Sequence, residues 1–290
     1  MAGLTQLLEQ TEATQLASGF VFTEGPLWHP DGFYYFVDVR ASKFHRIRPG
    51  GGAELLRSDT GEGNGTTFDL EGRLVICEGG NRRLTRWPVD GSIHSCEVLI
   101  DRFEGKRLNR PNDLVCKSDG SIYFTNPGLR VPLAERELET SSVIRVKPDG
   151  SASLVADCEY PNGLAFSPDE RVLYVANTRF AMYIHAIDLD GDGNMTGRRI
   201  FADMSSDEKE GVPDGMKVDA EGRVYCTGPG GTWVFAADGE RLGIIRTPEV
   251  PANLCFGGPD LKTLFLTART SVYSLRVKVA GQPHPWYRRR

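Results

Sequence analysis

Short runs of apolar, β-branched and aromatic residues, separated by turn residues, extend along the whole chain. In three clear cases a turn precedes such a run: Asp31-Gly32 before Phe33–Val37, Glu71-Gly72 before Arg73–Cys77, and Asp119-Gly120 before Ser121–Thr125. Runs of this composition joined by Asp-Gly or Glu-Gly are typical of β-hairpins. The pattern therefore predicts a chain built almost entirely of short antiparallel strands.

A six-residue pattern that begins with a carboxylate or carboxamide side chain precedes each of the six predicted hairpins. Its copies begin at Glu24, Asn64, Asn112, Asn162, Asp214 and Asn253. They lie on average about 46 residues apart, a period that indicates a solenoid or a propeller. Each copy is expected to open the first strand of one structural repeat.

Further strand patterns complete most repeats. In the first repeat these are Lys43–Arg48 and Ala53–Leu56, and in the second Leu84–Trp87 precedes an Asp90-Gly91 turn. Four antiparallel strands repeated six times predict an all-β fold, a six-bladed β-propeller.

The two ends of the chain are expected to close the ring. The last repeat, which ends with Ser271–Val277, has no convincing fourth strand, whereas Thr14–Gly19 forms an unassigned strand before the first repeat. We predict that this N-terminal strand becomes the outer strand of the sixth blade, which leaves no long sheet edge open. Residues 1–290 are then a single domain, with residues 1–12 as an N-terminal extension and residues 279–290 as a C-terminal tail.

This topology predicts that the chemistry lies at one end of the ring. The residues that open the first strands share that end with the loops between second and third strands. The longest of these loops, Asn126 to Ser141, is a candidate lid, because long irregular connections are usually functional or disordered.

Composition narrows the expected partners. The 290 residues carry a net charge of −5 without a basic stripe, so nucleic acid is not an expected partner. No apolar run approaches membrane-spanning length, and Glu9 and Glu12 interrupt the apolar character that a signal peptide would need. The six cysteines form no Cys-x-x-Cys pair. These features predict a cytoplasmic protein with reduced cysteines, no membrane partner and an undetermined oligomeric state.

Five motifs carry a family resemblance, and they occur in order over nearly the whole chain. They are Phe22–Trp28, Leu108–Leu114, Ser121–Thr125, Tyr160–Ala165 and Val212–Met216. Together they resemble the signatures of the senescence marker protein / gluconolactonase / regucalcin family. The resemblance implies a six-bladed propeller with one catalytic divalent metal ion on its axis.

The resemblance also implies roles for particular residues. Glu24, Asn162 and Asp214 match the family's metal ligands, and Asn112 matches an amide at or beside the metal. Arg110 and Asn112 match residues that bind substrate. Asp214 is further implied as the group that accepts and returns a proton. Asn64 and Asn253 match no ligand motif and are expected to form hydrogen bonds near the axis.

The residue types agree with a metal site. Carboxylate and amide oxygens suit a hard divalent cation, so Ca²⁺ is expected first, with Mg²⁺, Mn²⁺, Zn²⁺ or Fe²⁺ as alternatives. Each residue also has a plain structural interpretation, because Asn and Asp before Gly are common in turns.

The leading hypothesis is a metal-dependent lactonase that opens a small-molecule sugar lactone to its aldonic acid. The metal would polarise the lactone carbonyl or lower the pKa of a bound water, and Asp214, as general base and acid, would take the water proton and return it to the leaving alkoxide. Two alternatives remain open at this point: a phosphotriesterase or other ester hydrolase that uses the same metal site, and a non-catalytic calcium-binding or scaffold propeller.

One departure from the family pattern bears on the substrate. Many lactonases of this type have Thr-Asp-Pro where this chain has Thr125-Asn126-Pro127, and Arg130 follows shortly afterwards. The change is expected to remove a polar contact beside the site. If Arg130 faces the cavity, the substrate is expected to be acidic or strongly hydroxylated.

Overall fold

The computed structural model describes residues 3–88, 96–207 and 210–289. The predicted turn at Asp90-Gly91 and the terminal residues Met1, Ala2 and Arg290 lie outside this part of the chain. Strands dominate the described residues, and helical structure is limited to the 3-10 turns Leu4–Gln6, Leu133–Glu135 and Pro285–Arg289. In these ranges no helix is both long enough and apolar enough to cross a membrane.

Six four-stranded antiparallel sheets form the blades. Strand β1 (Thr14–Ser18) comes first in the chain and belongs to the sixth blade. The first blade consists of β2 (Thr23–His29), β3 (Phe33–Asp38), β4 (Lys43–Ile47) and β5 (Ala53–Ser58). The second consists of β6 (Gly63–Phe68), β7 (Leu74–Glu78), β8 (Arg83–Trp87) and β9 (Glu97–Ile100). A two-stranded hairpin that the sequence pattern did not predict follows, with strands β10 (Arg102–Phe103) and β11 (Lys106–Arg107).

The third blade consists of β12 (Leu114–Cys116), β13 (Ile122–Asn126), β14 (Ser141–Val146) and β15 (Ala152–Cys158). The fourth consists of β16 (Pro161–Phe166), β17 (Val172–Asn177), β18 (Tyr183–Leu189) and β19 (Met195–Asp203). The fifth consists of β20 (Met216–Val218), β21 (Val224–Gly228), β22 (Gly231–Phe235) and β23 (Arg241–Ile245). The sixth consists of β24 (Asn253–Gly257), β25 (Thr263–Ala268), β26 (Ser271–Arg276) and β1.

The innermost strands β2, β6, β12, β16, β20 and β24 neighbour one another in cyclic order, so the sheets form a ring. The fold is the predicted six-bladed β-propeller. The predicted closure is also confirmed, because β1 pairs antiparallel with β26, with Thr14 opposite Ser274 and Ser18 opposite Ser271. The sheet of the sixth blade therefore joins both ends of the chain, and this pairing protects an edge that would otherwise be open.

Two kinds of contact hold neighbouring blades together. Aromatic side chains pack between the sheets, for example Tyr34, whose ring is stacked on that of Phe265 with centroids 4.3 Å apart. Burying each such side chain contributes roughly 1.5–3 kcal/mol. Threonine hydroxyls add hydrogen bonds across the inner strands: Thr66 donates to the Gly25 carbonyl at 2.8 Å, and Thr227 donates to the Ala252 carbonyl at 2.7 Å. The threonine hydrogen bonds hold the inner strands at the end where Gly25 and Ala252 lie.

The C-terminal tail crosses one end of the axial channel. The Gln282 amide donates to the Val218 carbonyl at 3.0 Å in the fifth blade. Further along, Trp286 is buried against Phe68, with ring centroids 4.6 Å apart, and the Tyr287 hydroxyl donates to the Trp28 carbonyl. The tail thus links the fifth blade to the first and second, opposite the end where the site residues lie.

Candidate active site at the end of the propeller axis

The four predicted metal-capable residues lie at the same end of the inner strands. Glu24 and Asn162 are the second residues of β2 and β16, whereas Asn112 and Asp214 lie two residues before β12 and β20. In the third and fifth blades the regular strand therefore begins two residues later than the repeat predicted. The ring of blades brings these residues together from positions up to 190 apart in the sequence.

The glycine that follows three of the polar residues has a steric reason. A Cβ on Gly25 would lie 2.1 Å from the Asn64 carbonyl oxygen, and one on Gly163 would lie 2.1 Å from the Asp214 carbonyl oxygen. On Gly215 it would lie 2.0 Å from Oδ1 of Asn253. Since such approaches are closer than non-bonded contact allows, glycine is needed at these three positions, where the polar turn of the next blade packs against the inner strand.

Glu24 is a buried carboxylate with one oxygen held in place. Its Oε2 accepts hydrogen bonds from the Gly25 amide at 2.7 Å and from Nδ2 of Asn253 at 2.8 Å. Burial, together with the nearby charge of Asp113, raises the pKa of Glu24 to about 7. Its Oε1 makes no hydrogen bond with the residues that the structure describes.

Asp214 is half-buried at the same end of the channel. Burial and the charges of Glu24 and Asp113 raise the pKa of Asp214 well above its usual range, against the opposing effects of Arg130 and of a hydrogen bond from Asn162. The charge of Glu24 raises the pKa of Asp214, and a cation between the two carboxyl groups would relieve that repulsion.

Asn162 is a buried amide whose orientation is fixed by a chain of hydrogen bonds. The Thr178 hydroxyl uses its only proton to donate to the Pro213 carbonyl at 2.7 Å. It can therefore only accept from Asn162, whose Nδ2 lies 3.0 Å away. This arrangement identifies the nitrogen side of the Asn162 amide and leaves its carbonyl oxygen available as a ligand.

Asn112 and Arg110, the predicted substrate residues, are both half-buried. The Asn112 carbonyl accepts from the Gly65 amide at 2.8 Å, and its side chain makes no hydrogen bond with the described part of the chain. The Arg110 guanidinium forms an ion pair with Glu62 and passes over Gly79, where a Cβ would lie 3.3 Å from Cγ of Arg110. Burial, and then the charge of Arg130, lowers the pKa of Arg110.

Two site residues were missed or placed in the wrong register by sequence reasoning. Asp113, which was not singled out beside Asn112, is 3% exposed on the axis. Asn253 was aligned with the first position of the repeat, but Ala252 occupies that position. The Ala252 amide donates to the Thr267 carbonyl, as the Asp214 amide donates to the Thr227 carbonyl.

Asp113 and Asn253 form a support beneath Glu24. Nδ2 of Asn253 donates to Oε2 of Glu24 and, at 3.2 Å, to Oδ2 of Asp113, while its Oδ1 accepts from the Leu254 amide at 2.8 Å. The expectation of an axial hydrogen-bonding role for Asn253 is confirmed. The Leu254 amide donates to the side chain of Asn253, and the Leu114 amide donates to the side chain of Asp113 in the same way. Asn253 therefore corresponds to Asp113, and aligning the sixth repeat with the third in this register could have identified both residues.

The charge on the axis is not balanced. Glu24, Asp113 and Asp214 supply three carboxylates, whereas Lys217, whose Nζ donates to the Met216 carbonyl at 2.8 Å, supplies the cation further along the channel. Burial raises the pKa of Asp113, and Lys217 partly offsets it. The surplus is negative, as expected for a cation site.

A large cavity among the described residues does not contain this site. Its volume is about 490 Å³, and it lies at the other end of the channel, between inner-strand ends such as Trp28 and Phe166 and the tail residue His284. Lys217 reaches into it. We place the chemistry at the carboxylate end because pocket size alone supplies no reactive groups.

Within residues 3–88, 96–207 and 210–289, no group of three or more His, Cys, Asp or Glu side chains is arranged to hold a metal ion. The donor set described above is of another kind, since it pairs the carboxylates of Glu24 and Asp214 with the amide of Asn162.

Comparison with known proteins agrees with the fold. Residues 22–270 match the family model described as SMP-30/Gluconolactonase/LRE-like region. A gluconolactonase of Zymomonas mobilis is 32% identical over 291 residues, which cover 92% of this chain and 81% of that protein. The pentonolactonase XacC of Haloferax volcanii is 31% identical, covering 84% and 80%.

A solved structure gives the same result. The gluconolactonase XC5397 of Xanthomonas campestris is 34% identical and superposes with a TM-score of 0.86, covering 96% of this chain and 94% of that one. The chain belongs to the SMP-30/gluconolactonase/LRE-like family. The predicted family and the predicted enzyme class, a lactonase, are thereby confirmed.

Proposed function

We propose that the protein is a divalent-metal-dependent hydrolase that opens a sugar lactone of the aldonolactone type to the aldonic acid. The observation that carries the proposal is the convergence of two carboxylates with raised pKa values, Glu24 and Asp214, on the amide of Asn162 at one end of the axis. The lactonase relatives described above support the substrate class.

The donor chemistry fits a divalent cation. Oε1 of Glu24, the carboxylate of Asp214 and the carbonyl oxygen of Asn162 would hold it, with Asn112 at or beside it. Two carboxylates would neutralise its charge, and oxygen donors favour Ca²⁺, with Mg²⁺, Mn²⁺, Zn²⁺ or Fe²⁺ as alternatives. When bound, such an ion polarises a carbonyl oxygen and lowers the pKa of a bound water.

The chain's own residues supply the proton transfers and the orientation of the substrate. Asp214 is half-buried, so its carboxylate can reach a water at the mouth of the channel, take its proton and return that proton to the ring oxygen as the ester bond breaks. Arg110 and Asn112 present donors to the hydroxyl groups of the substrate. Asn253 donates a hydrogen bond to Oε2 of Glu24, which leaves Oε1 of Glu24 directed away from Asn253.

The test is the hydrolysis of neutral sugar γ- and δ-lactones by metal-stripped protein, with Ca²⁺, Mg²⁺, Mn²⁺, Zn²⁺ or Fe²⁺ restored one at a time. Asp214→Asn should lower kcat by about 100-fold or more, as expected for loss of a general base. Asp238→Asn, an exposed turn residue between β22 and β23, is the matched control.

Three other outcomes would redirect the proposal. Turnover of phosphotriesters without lactones would favour the alternative hydrolase, and metal binding without any turnover would favour a non-catalytic calcium-binding protein. Lactone turnover that is equally fast in chelator would overturn the metal dependence.

A further inference from the structure

Arg130 lies at the tip of a tight turn in the loop between β13 and β14. The Val131 amide donates to the Gly128 carbonyl at 2.9 Å and closes this turn. Val131 is buried, whereas Leu129 and Arg130, the two residues between, are exposed. Val131 therefore anchors the turn in the protein, and the Arg130 side chain extends into solvent.

This turn stands directly beside the proposed substrate residues. The Asn112 amide donates to the Thr125 carbonyl at 2.9 Å, and the Arg110 amide donates to the Pro127 carbonyl at 3.3 Å. Antiparallel pairing thus continues beyond the ends of β12 and β13, and the residues after Pro127 lie next to Arg110. Arg130 follows three positions later, at the mouth of the site.

The base of the loop is fixed from below. The Gly128 amide donates to the Ser141 hydroxyl at 2.9 Å. Arg136 donates to the Val131 carbonyl at 3.0 Å, and the buried Arg82 donates to the Glu135 carbonyl at 3.1 Å. Arg130 is therefore presented by a supported turn, so its position belongs to the site as folded.

The charges at this mouth are incompletely paired. Arg110 has Glu62 as its ion-pair partner, but Arg130 makes no ion pair or hydrogen bond with the described residues. The charge of Arg130 also acts on Arg110 and on Asp214, which places it within interaction range of both. An oxyanion held between Arg130 and Arg110 would be attracted by both charges.

We propose that Arg130, together with Arg110, forms a binding site for an oxyanion carried by the substrate: a phosphate, sulfonate or carboxylate on the part of the sugar lactone remote from the reacting carbonyl. The planar guanidinium matches such groups through paired N–H donors. This inference rests on the proposed lactonase function and makes Arg130 a specificity-determining residue.

The experiment compares kcat/KM for 6-phosphoglucono-δ-lactone and for neutral glucono-δ-lactone. The wild-type protein should prefer the phosphorylated lactone. Arg130→Gln should lower that preference by about fivefold, since an exposed charge pair is worth up to roughly 1 kcal/mol. Arg130→Lys should retain part of it, and the preference should weaken as salt is added.

Arg171→Gln is the matched control, because it removes the same charge from an exposed turn at the opposite end of the blades. It should leave the preference unchanged. Lactones with a sulfonate at carbon 6 or with a second carboxylate distinguish which oxyanion the site selects. An unchanged preference in Arg130→Gln, or a wild-type preference for the neutral lactone, would overturn the proposal.

Binding of the ring-opened acids separates this inference from the lactonase proposal. If no lactone is hydrolysed, the proposed function fails, but calorimetry with 6-phosphogluconate and gluconate still decides the role of Arg130. Tighter binding of the phosphorylated acid, lost in Arg130→Gln, supports the oxyanion site. Equal binding of the two acids contradicts it.

Discussion

Replacing Glu24 by glutamine should change the stability of the protein in opposite directions with and without metal. Glu24 is 3% exposed, and both hydrogen bonds to its Oε2, from the Gly25 amide and from Asn253, are ones that a glutamine carbonyl oxygen can accept. The substitution therefore preserves shape and hydrogen bonding while it removes one negative charge from a group of three.

The magnitude follows from the raised pKa. Burial and repulsion by Asp113 raise the pKa of Glu24 from an ordinary 4.5 to about 7. This difference lowers the free energy of unfolding by roughly 3 kcal/mol at a pH where Glu24 is ionised in both the folded and the unfolded protein. Because the folded-state pKa is the higher one, the folded protein binds the proton more tightly. The contribution of Glu24 to the stability of the metal-free protein is therefore greatest at low pH and falls as pH rises from 4.5 through about 7.

In chelator at pH 8, Glu24→Gln should accordingly be more stable than wild type by roughly 3 kcal/mol, which is about 5 °C in Tm for a chain of this length. At pH 5 the gain should shrink to about 1 kcal/mol, because Glu24 is then largely protonated in the folded protein. A cation at 1,000 times Kd should stabilise wild type by about 4.1 kcal/mol and should have little effect on the variant, so that with metal at pH 8 wild type is the more stable protein by about 1 kcal/mol.

Thermal unfolding at pH 5 and pH 8, in chelator and in Ca²⁺, measures all four values. Glu12→Gln, at an exposed position near the N-terminus, is the control and should change none of them. If Glu24→Gln is less stable than wild type in chelator at pH 8, the reasoning is wrong, since the hydrogen bonds of the carboxylate would then outweigh its repulsion and burial.

Two further substitutions test the packing around the site. Asn177→Ala should lower the free energy of unfolding by about 2–3 kcal/mol, because this buried amide accepts a hydrogen bond from the Tyr160 backbone and donates to two carbonyls. Asn126→Ala should lower it by less than about 1 kcal/mol, since among the described residues neither polar atom of the Asn126 amide has a partner. Chemical denaturation compares the two variants, and equal losses of stability would contradict this assignment. Gly163→Ala should lower stability by about 1–3 kcal/mol and also reduce lactone turnover, because the added Cβ would collide with the Asp214 backbone. Gly191→Ala is the control, since a Cβ at that position meets open space. Normal turnover in Gly163→Ala would show that the position of Asp214 is not critical.

The sequence correctly predicted the repeat, the blades and the gathering of Glu24, Asn162 and Asp214 at one end of the ring. Hydrophobic alternation and Asp-Gly turns act over a few residues, so they can be read locally. The regular spacing of Glu24, Asn162 and Asp214 then followed from the repeat, and ring closure by Thr14–Ser18 followed from the missing strand in the last blade.

Interpretation of the Asn126 substitution was only partly right. The residue was expected to remove a polar contact beside the site, but it is fully buried at the end of β13. Asn177 ends β17 in the next blade in the same way and holds the Tyr160 amide at 2.9 Å. The motif revealed an unusual residue, but only packing determines whether such a side chain faces the site or the interior.

By itself, the amino-acid sequence determined the strand pattern, the sixfold repeat and the polar residue at or just before the start of five of the six inner strands. The tertiary structure decided how those residues work together. Asn253 bonds to Glu24 across 229 positions and to Asp113 across 140, and the one-residue register that permits this depends on pairing with Thr267. The physical reason is range: local propensities set strands and turns, whereas burial, charge repulsion and hydrogen-bond partners arise only when distant strands meet around the axis.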